Sequence, residues 1–379
     1  MSFDAVVVGA GPAGAMAARD LARNGARVAL VDGSHPREKP CGGGVTGRAL
    51  ELLAETPHGG AAIASITFES AGRAASVDLP GHDHLRVYSR DAFDAALVRE
   101  AVAAGAEWIR SRASGIERQR ASWIVTIGSR QIATPWLLGA DGASGIVRKR
   151  VFRPFARRQL SIAAGSYVDG VDVREIVIAF VDTPRGYLWS FPRPGHLAVG
   201  ACAQADETSP REMHAITDAW LDRYAPAAGR ARRQYAWPIP SLSAADVDAE
   251  RPAGDGWMLL GDTAGLVDPI TREGIFFALE SGRFAAAALR DRSPAQVYSA
   301  RIRDEVHGEL RRAARLKAGF YRPRFTRLLI DALEQSAAIR GVMTDLVAGR
   351  QPYAGLKRRL LRTFEMGLLL RLLATNARV

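Results

Sequence analysis

The tightest constraint on this chain is the turn Gly9-Ala10-Gly11-Pro12-Ala13-Gly14, which fits only between a buried strand and the first turn of a helix. Phe3 to Val8 is a short Val-rich run with the pattern of a parallel strand buried on both faces. Ala13 to Asn24 reads as a helix, Gly25 as its stop, and Ala26 to Val31 as a second strand. Gly9 permits the tight turn, Gly11 a close backbone approach, and Gly14 close packing of helix on strand. The first-turn N–H groups have no partners inside the helix and carry the positive end of its dipole, so they favour an anion. Asp32 stands eighteen residues past Gly14, where a carboxylate accepts from a ribose. The spacing therefore predicts a strand–helix–strand unit that holds a dinucleotide by its diphosphate. After Asp32, the segment from Gly33 through Arg37 to Gly44 is too polar and glycine-rich for core and reads as a loop near the ligand.

A chain of 379 residues can bury a large core and divide into two or three units. The net charge of +11 and pI near 10.2 raise the question of nucleic acid or an anionic membrane. Only four of the 51 basic residues are lysine, which points to a compositional habit of solvated arginines. No basic run is interleaved with aromatics, so nucleic acid is not an expected partner. Cys41 and Cys202 give neither a disulfide framework nor metal-ligand spacing, so a reducing compartment and no metal are expected. Met1 leads directly into the first strand with no signal peptide, and no apolar run is long enough to span a bilayer. The expected location is cytoplasmic, soluble or at the inner face of the membrane.

Along the chain, Val45 to Glu55 reads as a helix and Ile63 to Leu79 as two alternating strands. A helical stretch runs to Ala104 from the segment Val87 to Asp94, with Ser89 able to cap it. Arg90 in its first turn opposes the dipole, which suits either a ligand-side partner or a plain surface position. Glu107 to Ile109 and three strands ending at Thr134 read as a small meander, followed by a buried strand Trp136 to Gly139. From Leu160 to Ala203 the period changes to alternation, and a sheet domain is built. Gly256 to Asp262 returns to a buried parallel-type strand, a helix spans Glu273 to Arg290, and the remainder is helical in pattern. The expected fold class is α/β, α+β overall: a Rossmann-like FAD/NAD(P)-binding domain with an inserted antiparallel β-sheet substrate domain and a helical C-terminal region. The expected bounds are 1–62 with 86–155 and 251–292, then 63–85 with 156–250, then 293–379.

Three glycine–acid signals close three buried strands: GAGPAG, DGASGIVR beginning at Asp141, and GDTAG beginning at Gly261. Strand carboxyl ends at a switch point are where open α/β sheets bind ligands, so three such ends suit one long dinucleotide. The three motifs resemble those of flavoprotein oxidoreductases of the para-hydroxybenzoate hydroxylase fold. Within that group, Pro40-Cys41-Gly42-Gly43-Gly44 and Tyr187-Leu188-Trp189-Ser190-Phe191-Pro192 resemble paired signatures of the geranylgeranyl reductase family. The resemblance covers about the first 290 residues. It implies FAD, with Gly9, Gly11, Pro12, Ala13 and Gly14 on the diphosphate and Asp32 with Gly33 at the adenosine ribose. It further implies Arg37 and Arg90 toward the ribityl-diphosphate region, and Asp141 and Gly142 along the cofactor channel. Gly261 and Asp262 fall at the ribityl chain, and Pro269 to Gly274 with Ile275 at the isoalloxazine ring. Cys41, Gly42 and Gly43 fall beside the flavin. Helix-opening amides after Thr271 suit an anionic reduced flavin. The family more often has Glu where this chain has Asp32.

Tyr187, Trp189 and Phe191 share one face at period two, which reads as sheet core or as an apolar wall for a greasy substrate, with Pro192 and Gly43 beside it. The reaction that the resemblance implies is reduction of carbon–carbon double bonds in a polyprenyl chain by reduced FAD. NAD(P)H or another low-potential donor, such as ferredoxin or a quinol, would supply electrons. Cys41, Tyr187 and Trp189 are the candidate catalytic residues, with Cys41, Tyr187 or a bound water as proton source. A monooxygenase or halogenase of the same fold is the competing expectation; a halogenase should show a Trp-x-Trp-x-Ile-Pro strand and a lysine near the flavin tunnel, and Tyr187-x-Trp189-x-Phe191-Pro192 together with the scarcity of lysine speaks against it. In the tail, 355–373, Leu356, Leu360 and Phe364 form a stripe beside Arg358, Arg359 and Arg362. That helix reads equally as docked on the core or lying on an anionic membrane.

Overall fold

The computed structural model describes residues 2–81, 84–170, 173–222 and 232–363. The chain forms two compact units, each assembled from three segments. One unit holds Met1–Lys39, Arg90–Gln159 and Ile239–Arg311; the other holds Pro40–Ser89, Leu160–Pro238 and the chain from Arg312 on. These bounds differ from those expected chiefly at 40–62, at 239–250 and beyond 293, where the residues up to Arg311 join the first unit and the rest the second. Residues 40–62 go with the second unit because Gly44–Thr46 and Ala61–Ala62 both pair antiparallel with Leu85–Val87. The segment Val45 to Glu55, expected as a helix, is thus a short strand followed by a single helical turn, Gly47–Leu50. The C-terminal helices are likewise no separate region, since Ile330 and Leu333 of Pro323–Gln335 and Met343 and Val347 beyond them join the core beneath strands Ser65–Ser70 and Arg73–Asp78.

The first unit is a six-stranded sheet in the order Ala253–Gly254, Trp257–Leu259, Trp136–Gly139, Ala5–Val8, Val28–Val31, Glu107–Ile109. All its pairs are parallel except the first. Glu107–Ile109, expected in the small meander, is therefore the edge strand of this sheet, and the meander keeps Ala113–Gln119, Ser122–Ile127 and Arg130–Thr134. The strands Ala5–Val8 and Val28–Val31 are buried throughout, as parallel strands covered on both faces must be. Helix Pro12–Arg23 packs against Ile275–Ala288 at Gly282, where a Cβ would stand 2.6 Å from the Ala13 carbonyl oxygen.

The second unit is built on a seven-stranded sheet in the order Arg232–Pro240, Leu160–Asp169, His196–Gln204, Gly186–Arg193, Ile176–Val181, Ser65–Ser70, Arg73–Asp78. Helix Pro210–Leu221, capped by a Ser209–Glu212 capping box, lays Met213, Trp220 and Leu221 on Val199, Ala201 and Leu188 of one face. The alternating residues of Gly186–Arg193, namely Tyr187, Trp189, Phe191 and Arg193, take the opposite face.

Candidate active site

In the first unit, register brings the three motifs together. Val8 pairs with Gly139 and Gly139 with Leu259, so the chain leaves three adjacent parallel strands at one level of the carboxyl edge. Gly9 has φ of +105°, and a Cβ there would collide with the Ala140 carbonyl; one on Gly14 would collide with the carbonyl of Gly9. Both are steric requirements for bringing helix and strand this close. Gly11 and Gly142 are different, because a Cβ on Gly11 would meet only His35 Nε2 at 3.6 Å and one on Gly142 would meet nothing within 4 Å. Helix Pro12–Arg23 opens at Gly11 without a side-chain cap. An uncapped helix start beside a bare glycine is a cradle for a diphosphate, so the residues present fit a dinucleotide such as FAD.

The second and third motifs are tied to each other. Thr263 Oγ1 accepts from the Gly142 amide at 2.7 Å and lies 3.4 Å from Asp141 Oδ1, while Asp141 Oδ2 accepts from the Val147 amide at 3.0 Å. Burial pushes the Asp141 carboxyl up to about 6, the amide of Val147 and the Thr263 hydroxyl offsetting only part of it. Behind them Arg148 is fully buried, forked onto Glu250 at 2.7 and 2.9 Å, and donates to the Thr263 carbonyl at 3.2 Å. Asp262 accepts from Lys39 Nζ at 2.9 Å and stands 3.2 Å from where a Cβ on Gly274 would be. Gly261 donates to Ser281 Oγ at 3.0 Å, fixing the turn that presents Asp262. Pro269 lies in a loop closed by Asp268, whose Oδ1 accepts from the Ile270 and Thr271 amides, and Ile275 opens the next helix without a side-chain cap.

Asp32 is engaged differently from the expectation. Its Oδ1 accepts from the Ser34 and His35 amides and Ser34 Oγ, and its Oδ2 from the Ala10 amide and His35 Nδ1 at 2.9 and 2.8 Å. Five donors leave a carboxylate little capacity for a ribose. Burial would raise its pKa, but the His35 bond and charge and the Ala10 and Ser34 amides hold it well below the usual carboxylate range. Arg90, expected toward the cofactor, is buried with its guanidinium on Asp94 one turn further along, at 3.0 and 2.8 Å. Arg37 lies on the same loop and donates to the Glu38 carbonyl at 3.3 Å. Gly33 sits against Arg112.

The second unit brings PCGGG and YLWSFP together. The Phe191 ring lies over Gly42, where a Cβ would stand 2.8 Å from three ring atoms, and against Gly44 at 3.1 Å. Gly43 has φ of +83° with the Tyr88 carbonyl where its Cβ would be. Arg193, two residues past Phe191 and buried, donates to the Cys41 and Gly42 carbonyls at 2.5 and 3.2 Å and lies 3.5 Å from Cys41 Sγ. It also sits 5.2 Å over the Tyr167 ring. Trp189, a candidate catalytic residue, is 3 % exposed and packs its ring on Gly200, which is a core position. Tyr187 and Phe191 are half-buried, and Tyr187 stacks parallel to Tyr321 at 6.3 Å. Pro192 is buried in the same strand.

Sequence reasoning passed over His35, Lys39, Asp94, Thr263 and Arg193. Lys39 had one usable signal, since it is one of only four lysines and stands in a glycine-acid loop. Among the described residues no cluster of His, Cys, Asp and Glu is arranged to hold a metal.

Residues 2–182 match the FAD binding domain family. The chain is 30% identical to a geranylgeranyl diphosphate reductase of Rhodobacter capsulatus, over 94% of this chain and 95% of the relative. Among solved structures it superposes on a geranylgeranyl bacteriochlorophyll reductase-like protein of Thermoplasma acidophilum with a TM-score of 0.78 at 22% identity, covering 96% of this chain and 99% of the other. It also superposes on a flavin-dependent brominase, with a TM-score of 0.71 at 20% identity and the same coverage. At such identities the superpositions establish the fold, which reductases and halogenases share.

Proposed function

The chain belongs to the geranylgeranyl reductase family of FAD-dependent oxidoreductases, and from that premise we propose that it saturates carbon–carbon double bonds of a polyprenyl chain. The observation that carries this reading is the meeting of the PCGGG loop with the YLWSFP strand through Phe191 and Arg193. The relative from Rhodobacter capsulatus is named for geranylgeranyl diphosphate, a substrate of that class.

The amides opening helix Pro12–Arg23, with Gly9, Gly11 and Gly14, would hold the FAD diphosphate. Asp262 with Lys39 would hold the ribityl hydroxyls, and Pro269 to Gly274 with the helix opening at Ile275 would meet the ring. When bound, FAD supplies hydride to an alkene carbon, with NAD(P)H or another low-potential donor as the electron source. Tyr187 and Phe191, with Tyr321 behind Tyr187, form an apolar wall that orients the chain and excludes water. Trp189 supports that wall from within the sheet. The second alkene carbon needs a proton, and we assign its delivery to Cys41 or Tyr187, the thiol and the phenol of the two signature segments.

The test is anaerobic incubation of the dithionite-reduced holoprotein with prenyl diphosphates, prenylated glycerolipids and aromatic acids, read by mass. A gain of two hydrogens for each saturated bond in a prenyl substrate is expected. A gain of one oxygen on an aromatic substrate once air is admitted, or the replacement of one hydrogen by halogen once air and halide are admitted together, would overturn the reading in favour of the other chemistries of this fold. Cys41→Ala and Tyr187→Phe then separate the two proton sources, since only loss of the true donor lowers the rate while leaving flavin binding intact.

A further inference from the structure

His35 has a role that its neighbours define. Its Nδ1 is held by Asp32 Oδ2 at 2.8 Å, and the polar neighbour of its Nε2 among the described residues is Asp94 Oδ2, at 3.5 Å. Asp94 is fully buried and already forked by Arg90, so at that distance it closes no hydrogen bond with the ring. Nε2 thus lacks a short partner, and it lies 3.6 Å from the Cβ position of Gly11, on the open side of the glycine that must admit a diphosphate. Its side chain is 13 % exposed, so the ring is held by its surroundings without being sealed from solvent. The charged groups that meet the ring among the described residues are Asp32 and Asp94; Arg90 reaches it through Asp94, Glu38 accepts from the Arg90 amide, and Arg112 lies against Gly33 of the same loop.

We propose that His35 is a contact residue for the adenylate half of the cofactor, its Nε2 meeting the diphosphate above Gly11 while Asp32 holds Nδ1. This rests on the FAD reading above and deepens it. Asp32 then also acts by positioning: its Oδ2 holds Nδ1 and so aims Nε2 at the diphosphate. In such a contact both ring nitrogens donate, Nδ1 to Asp32 and Nε2 to the diphosphate.

Asparagine and glutamine separate contact from anchoring, because an Asn amide can mimic Nδ1 and a Gln amide Nε2. FAD affinity of the apoprotein is measured by flavin fluorescence and ADP affinity by calorimetry, for the wild type, His35→Asn, His35→Gln and His35→Ala. His35→Asn and His35→Ala should weaken FAD and ADP by similar factors, on the order of tenfold for a lost charge-assisted bond, and His35→Gln should stay closer to the wild type. Retention by His35→Asn and loss by His35→Gln would make the residue a loop anchor and overturn the proposal. So would unchanged affinity in all three variants. A wild-type chain that binds no FAD would overturn the flavin reading itself, and the role of His35 with it.

Discussion

Asp141 shows how one carboxyl can serve a site and weaken the fold that holds it. It caps helix Ile146–Val151 through the Val147 amide and touches Thr263, yet burial pushes its pKa up to about 6 from the ordinary 3.8. Between those values the folded chain keeps a proton that the unfolded chain has released, so this group's contribution to stability falls as pH rises from about 4 to 6 and is constant above. An asparagine side chain at this position would keep an oxygen acceptor for the cap and carry no charge. The melting temperature of Asp141→Asn minus that of the wild type should therefore climb from about pH 4 to about 6.5 and then level off. A difference independent of pH would show that the carboxyl is not held in its acid form. At this scale the glycines were legible from the sequence, because steric exclusion at Gly9 and Gly14 allows one residue type whatever surrounds it. His35, Lys39 and Arg193 were not legible, since their partners Asp94, Asp262 and the Cys41 carbonyl are brought close only by the fold.

At the scale of elements, the loop Pro40–Gly44 and the strand Gly186–Arg193 act as one piece. A methyl on Gly42 would press on the Phe191 ring at 2.8 Å, and the loop cannot retreat, because Gly43 holds φ of +83° with the Tyr88 carbonyl behind it. Gly42→Ala should cost about 1–3 kcal/mol by overpacking and should sharply reduce turnover. FAD affinity should be little changed, because the motif residues of the diphosphate cradle belong to the other unit. Phe191→Ala makes room for the methyl, so the double variant should be more stable than the sum of the single losses predicts. Strict additivity in chemical denaturation would mean that ring and loop do not press on each other in solution. The sequence resembled known signatures in both segments, but it could not show that they touch. It also read Val45 to Glu55 as a helix and Glu107 to Ile109 as part of a meander, because both are short apolar runs whose state is set by a distant pairing partner, Leu85–Val87 in one case and Val28–Val31 in the other.

Across the whole molecule, the chain enters and leaves each unit repeatedly, which is why linear composition gave the architecture but misplaced its seams. The same holds at the C-terminus, where helices Pro323–Gln335 and Ala337–Val347 complete a core while Leu356–Arg362 has no buried residue. Residues 364–373 of the basic stripe lie outside the described residues, Phe364 among them. Of the preceding arginines, Arg359 is engaged with Asp345 and Gln351 at 2.6 and 2.9 Å, and Leu361 is 46 % exposed. No helix among the described residues is long and apolar enough to cross a membrane. A net charge of +11 supplies the attraction, and an exposed leucine beside Lys357, Arg358 and Arg362 supplies an apolar foothold. We therefore expect the full chain to sediment with vesicles rich in anionic lipid, less so as salt is raised, and a chain ending before Gly355 to remain in the supernatant. The melting temperature of the truncated chain, measured beside the sedimentation, distinguishes lost lipid binding from lost folding. Equal sedimentation of the two chains would assign the tail no membrane role.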